Sequence, residues 1–197
     1  MSDKKIIETP IDPEEIKELK VGDTFYITGT IFTARDSAHE LFLDMDDEDI
    51  PFDPSKYAMF HCGPVIHKVD GKWEVVSAGP TTSIRMEIFE DKFIERFGTR
   101  IIIGKGGMAD RTLKALGEHG GVYVQYTGGA GALMANAVEE VTDVHFLEEL
   151  GIPEAFWMFK VKEAGPFFVT MDSHGNSLHD DVDKEVKKNL EQLKKEL

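Results

Sequence analysis

Apolar and polar positions change rhythm along this chain at a few places, and each change marks an element. Residues 24–33 (TFYITGTIFT) are β-branched and aromatic, which predicts a strand. It runs into ARDSAHELFL, where Ser37-x-x-Glu40 has capping-box form, so Arg35 falls between a strand and a helix start. Upstream, Asp12-Pro13-Glu14-Glu15 predicts a short helix ending before Gly22. Residues 58–64 (AMFHCGP) and 72–80 (KWEVVSAGP) read as strands closed by Gly-Pro, with the turn Asp70-Gly71 between them.

From Ser83 the period lengthens to that of a helix. Phe89, Phe93 and Phe97 recur every four residues, Gly98 is the expected stop, and counting back places Arg85 at the head of the same apolar stripe, turned inward. Residues 100–104 (RIIIG) predict a buried strand, 109–117 (ADRTLKALG) a short helix stopped at Gly117, and 121–126 (GVYVQY) another strand. Thr127-Gly128-Gly129-Ala130-Gly131 then leads into an Ala-rich helix to about Val138. A last strand pair is expected near FWMFKVKEAGPFFVTMD. Over 180–197 a C-terminal amphipathic helix follows, with Val182, Val186, Leu190, Leu193 and Leu197 on one stripe. Strands alternating with helices argue a single α/β domain over 1–197.

Composition narrows what such a domain can do. With 22 Lys+Arg against 37 Asp+Glu, the net charge of −15 repels phosphate backbones and anionic headgroups, so neither nucleic acid nor a membrane is the expected partner. The N-terminus has no signal-peptide core and no run approaches the length of a membrane span, which leaves a cytoplasmic location as the expectation. The one cysteine, Cys62, forms no internal disulfide, cannot hold an iron–sulfur cluster by itself, and reads as a small buried hydrophobe.

Against that acidic background, three predicted strand-to-helix junctions carry cations. Arg35 lies before the first helix, Arg85 follows Thr81 at the second, and Lys105 sits in Gly104-Lys105-Gly106-Gly107 at the third. Ligands of open α/β sheets gather beyond the carboxyl ends of strands, where helix N-termini also present free N–H groups. Two arginines and a lysine suit a ligand with two carboxylates, since Arg grips a carboxylate by a planar fork and Lys adds a point charge. Arg85 needs an anionic partner, either a ligand or a buried Asp or Glu. Thr81 or Thr82 serves equally well as a helix cap, and the glycines of GKGG either form a tight turn or admit a ligand.

Other motifs fail. A P-loop would require glycine at Thr99 and a hydroxyl at Gly106, and a dinucleotide fingerprint would require glycine at Met134. DMDDEDIPFD lacks the glycine of a calcium loop and reads as a solvated acidic loop. His61 and Cys62, adjacent on a strand, point to opposite faces, so no metal site is expected there. His39, one helical turn past Arg35, is the histidine nearest the junctions.

TGTIFTARDSAH, FHCGPV, VSAGPTTSIRME, IGKGGM and DSHGNSL, in this order and spacing from about Thr9 to His179, resemble the β subunit of class I iron–sulfur fumarases and equally that of L(+)-tartrate dehydratase. The resemblance implies a compact "swivelling" β/β/α domain with a mixed central sheet and flanking helices. It implies an α subunit whose three cysteines hold a 4Fe-4S cluster with one open iron, in a homodimer or α2β2 assembly, and an isolated chain that is inactive. Substrate would bind between the two parts, with the open iron as Lewis acid. By the same resemblance Arg35 and Arg85 bind substrate carboxylates, Lys105 and Thr81 contact the substrate and are the catalytic candidates, Thr81 as an acid/base group, and Asp36, His39, Gly104 and Gly106 are supporting candidates. The implied reaction is reversible hydration of fumarate to L-malate, a step of the tricarboxylic acid cycle. Dehydration of tartrate to oxaloacetate is the alternative, with mesaconate hydration beyond it. A non-catalytic anion- or nucleotide-binding module using Gly128–Gly131 is the reading from another class.

Overall fold

Most of the predicted strands join one sheet, and that sheet closes on itself. The computed structural model describes residues 4–196. In chain order it contains β1 (Ile6–Glu8), α1 (Pro13–Lys17), β2 (Thr24–Thr33), α2 (Asp36–Asp44), β3 (Ala58–Phe60), β4 (Val65–Val69), β5 (Lys72–Ser77), α3 (Glu87–Phe97), β6 (Ile101–Gly104), α4 (Asp110–His119), β7 (Val122–Gln125), α5 (Gly131–Ala137), β8 (Val138–His145), α6 (Leu147–Leu150), β9 (Phe156–Met171) and α7 (Leu178–Glu196). β2, β3, β6 and β7 are parallel neighbours. β9 runs antiparallel to β7 and also to β2, so these five strands form a closed barrel. β1 extends the sheet beside β2, and β8 beside β9. Register shifts between Phe25 and Gly29 in the β2–β9 ladder supply the local bending that closure requires.

The period of two along each strand separates two cores. Ile101 and Ile103 face the barrel interior with Phe60, Val124, Phe159 and Phe167, whereas Ile102 faces outward with Met59, Tyr123 and Phe156. Phe42 of α2 and Phe93, Ile94 and Leu116 of α3 and α4 cover that outer face. RIIIG is continuously apolar because both faces are buried, one by the barrel and one by helices.

The helix layer is tied together by a carboxylate. Glu87 of α3 accepts hydrogen bonds from the N–H groups of Ala109, Arg111 and Thr112 and from the Thr112 hydroxyl, at 2.6 to 3.2 Å. It therefore caps the N-terminus of α4, whose own N-cap, Ala109, has no side-chain acceptor. Glu87→Ala leaves those donors unmet and is expected to destabilise the fold by about 2 kcal/mol. In thermal unfolding that is a fall of roughly 4–8 °C, and an unchanged midpoint would remove the capping role.

Several elements differ from the sequence reading. The partner of β5 across Asp70-Gly71 is β4, not β3, and the two form a separate hairpin. The Ala-rich helix ends at Ala137, where the chain turns directly into β8, and the expected last strand pair is the single 16-residue β9. α4 runs through Gly117 to His119 and stops at Gly120, which takes the left-handed conformation. α2 begins at Asp36, and Ser37 makes no side-chain capping bond. The stripe on α7 is exposed at Val182, Val186, Leu190 and Leu193, and Leu197 lies outside the described residues. No helix among the described residues is long and apolar enough to cross a membrane.

Candidate functional site

Parallel pairing puts the carboxyl ends of β2, β3, β6 and β7 on one rim of the barrel, and the predicted residues follow from those ends. Arg35 lies two residues beyond β2 and precedes the first turn of α2. Past β3, Cys62 bridges to Pro80, and the Thr81 N–H donates to the His61 carbonyl at 2.7 Å, which seats the Gly-Pro-Thr-Thr segment beside β3. Past β6, Lys105 bridges to Thr82, and its carbonyl accepts from the Ser83 N–H at 3.0 Å. The three junctions that carry cations are thus neighbours in space.

The side chains form a connected group at its centre. Arg85 Nη2 donates to Asp36 Oδ2 at 2.8 Å and to Thr81 Oγ1 at 3.2 Å. Arg35 Nε lies 3.2 Å from Glu154 Oε1, and Glu154 Oε2 accepts the Ser37 N–H at 3.1 Å. Lys105 is exposed, its stem passing Gly128, and it has no ion-pair partner among the described residues. The guanidinium of Arg35 lies against Gly63, where a Cβ would sit 2.6 Å from Nη1, so only glycine leaves room for it. At Gly104 a Cβ would collide with the Ser83 hydroxyl, which explains a strand that ends in glycine.

Two expectations change here. Arg85 is not turned inward: it sits in a 3-10 turn (Ser83–Met86) ahead of α3, and its side chain is 45% exposed. The buried stripe runs one position later, through Met86, Glu90, Phe93 and Ile94, because the 3-10 turn shifts the phase. The threonines are not helix caps, since Thr82 precedes the turn without a side-chain capping bond and Thr81 Oγ1 accepts from Arg85. The helix starts expected to offer free N–H groups are also occupied: Glu154 takes the first turn of α2 and Glu87 that of α4.

Of the supporting candidates, Asp36 joins the group through Arg85. Gly104 makes room for Ser83, while Gly106 takes a positive φ of 75° and its carbonyl accepts from Tyr123 and Gln125. His39 is fully buried and faces away from the cations, its Nδ1 on the Arg35 carbonyl at 2.7 Å. Cys62 belongs to the barrel core, and burial raises the pKa of its thiol strongly against the opposing charge of Arg35. His61 points the other way, to the helix side, where Glu90 approaches its Nε2 at 3.1 Å. Reading the charges along the chain missed His61, Glu90, Gly63 and Glu154. The one usable signal was Glu90, four residues past Met86 in the phase that proves buried.

Comparison with known proteins adds a family. A model described as fumarase C-terminus matches residues 3–182. A "Putative L(+)-tartrate dehydratase subunit beta" of Methanocaldococcus jannaschii is 46% identical over 182 residues, 91% of this chain and 93% of that protein. The "L(+)-tartrate dehydratase subunit beta" of Escherichia coli is 45% identical over 175 residues, 89% of this chain and 86% of its own length. A "Putative fumarate hydratase class I" of Geobacillus stearothermophilus is 47% identical over 196 residues, 98% of this chain but 37% of that longer protein.

Proposed function

This chain belongs to the fumarase C-terminus family, and on that premise we propose that it is the β subunit of a hydro-lyase whose reaction is the reversible hydration of fumarate to L-malate. The observation that carries the reading is the convergence of Arg35, Thr81, Arg85 and Lys105 on one rim, with Arg85 bonded to the Thr81 hydroxyl. Arg35 and Lys105 hold the two carboxylates of the substrate. Glu154 and Asp36 orient the arginines, and their carboxylates occupy Arg35 and Arg85 while substrate is absent.

Thr81 moves the proton at the carbon next to a substrate carboxylate. A free hydroxyl is a poor base, so the role needs a partner that stabilises the alkoxide. Arg85 Nη2 supplies it, 3.2 Å from Thr81 Oγ1. Negative charge that develops on the carboxylate beside the reacting carbon falls within the field of the same cations.

A 4Fe-4S cluster does not fit this chain's own residues. Its one cysteine is buried in the barrel core with a thiol that resists ionisation, so the cluster belongs to an α partner and no step of this chain's chemistry is routed through it.

Dehydration of tartrate to oxaloacetate is the second reading, favoured by the names of two relatives that share nearly this chain's full length. Anaerobic assay of the chain assembled with an α subunit on fumarate, L-malate, L(+)-tartrate and mesaconate separates the two. Fumarate turnover at least about tenfold faster in kcat/KM than tartrate is expected, a difference of about 1.4 kcal/mol in transition-state binding. Affinity for a dinucleotide with no turnover of any dicarboxylate would overturn the enzyme.

A further inference from the structure

Directly behind the clamp lies a set of charges that the reaction does not touch. His39 of α2, His61 past β3 and Glu90 of α3 are all fully buried, with one nitrogen or oxygen from each lying within 4.8 Å of the others. Glu90 Oε2 is 3.1 Å from His61 Nε2 and 3.5 Å from His39 Nε2. Neither contact is a well-formed hydrogen bond, and the charges brought together here must balance internally.

The outer atoms of the rings fix where the protons are. The Arg35 carbonyl can only accept, so His39 Nδ1, 2.7 Å away, carries a proton. A neutral His39 would then aim the bare lone pair of Nε2 at the fully buried Glu90 carboxylate, so Nε2 carries a second proton and the ring is an imidazolium. His61 Nε2, 3.1 Å from Glu90 Oε2, carries that ring's single proton, since a bare nitrogen there would also face the carboxylate, and Nδ1 is left to accept from Ser83 Oγ at 3.0 Å. Burial lowers the pKa of His61, which keeps that ring neutral despite the pull of Glu90. Burial alone would raise the Glu90 pKa, but the neighbouring histidines overcome it and hold the group ionised.

The remaining groups at this place do not disturb the balance. Tyr123 of β7 gives its hydroxyl to the Gly106 carbonyl, Asp36 of α2 is paired with Arg85, and Phe89 and Phe93 of α3 flank the His39 ring. One connected set of contacts results, from the Arg35 carbonyl through His39, Glu90, His61 and Ser83 to the Lys105 amide. The Thr81 N–H is attached to it through the His61 carbonyl at 2.7 Å.

We propose that the His39–Glu90–His61 triad is a positioning device that holds the Arg35, Thr81 and Lys105 segments in register. The inference rests on the clamp reading above. Glu90→Gln removes the charge that joins the two rings, so the segments shift and the KM for the dicarboxylate rises.

The test combines histidine side-chain 15N spectra of the full chain with kinetics of the α–β complex. The expected spectra show one ring protonated on both nitrogens and one protonated on Nε2 alone, the first becoming neutral in Glu90→Gln. The expected kinetics show KM raised about tenfold in Glu90→Gln with a smaller change in kcat, part of the roughly hundredfold that an ångström of misplacement costs. Ser83→Ala, which cuts the link to Lys105 and leaves the charges alone, is expected to raise KM several-fold with the spectra intact. It decides the matter if Glu90→Gln does not fold.

Two neutral rings, a Glu90→Gln enzyme with wild-type KM, or wild-type KM in Ser83→Ala would each overturn the proposal. So would one equivalent of divalent metal that is lost in Glu90→Gln, since ring nitrogens held by a carbonyl and a hydroxyl also suit a metal site. If the wild-type complex turns over no dicarboxylate, the functional reading fails separately, and the spectra still decide the triad.

Discussion

Thr81→Ala, assembled with an α subunit, is expected to lower kcat by about 10²- to 10⁴-fold, the usual contribution of a positioned acid or base. KM should move by less than about threefold, because the carboxylate clamp is left in place. The substitution is clean for a structural reason. Thr81 is held by its backbone N–H on the His61 carbonyl, which alanine retains, and its half-buried side chain supports no helix start. What disappears is the oxygen that accepts from Arg85 Nη2. Thr81→Ser keeps that oxygen and should recover most of the rate. Turnover near normal in Thr81→Ala would take the proton away from this residue and leave Arg85 as a simple carboxylate ligand.

The chain by itself is expected to show no measurable hydration of fumarate, a loss of order 10⁶-fold or more, and to regain it on mixing with an α subunit under anaerobic conditions. The rim is open to solvent. Lys105 is exposed, the Arg85–Asp36 pair is 45% and 36% exposed, and Cys62 is closed off in the barrel core. Cations so open to water bind a dicarboxylate weakly, since solvent screens each contact. A partner surface that covers the rim would exclude that water and strengthen every contact at once. Appreciable malate formation by the purified chain would refute the two-subunit reading.

How much could be read in advance depended on whether the signal was local. β2 fell on residues 24–33 as read, because nine β-branched or aromatic residues in ten positions leave little choice. Arg35, Thr81 and Lys105 could be put near strand ends from chain order alone, and parallel pairing brings those junctions to one rim. Arg85 was misjudged because a turn of 3-10 helix ahead of α3 changes the angle per residue, and a four-residue count carried through it lands on the wrong face. β8 was hidden because VEEVTDVH is largely polar, with only one edge on β9 and one face half-covered. Glu90 was missed for a related reason: a buried carboxylate looks like any other acid until His61 and His39 arrive from β3 and α2, and no spacing in the sequence announces that meeting.

Closure of the barrel also governs how the molecule is made. β9 pairs with β2, so Thr24 meets Phe168 and Phe32 meets Met158, near opposite ends of the chain. During synthesis the parallel strands β2, β3, β6 and β7 emerge first and must wait, with the β2 and β7 edges unpaired, until the ribosome releases β9. Such long-range pairing slows folding and lengthens the time for which apolar edges are exposed. A chain cut before Phe156 would keep the RIIIG strand and all four candidate site residues, yet it would hold an open sheet prone to associate with other copies of itself.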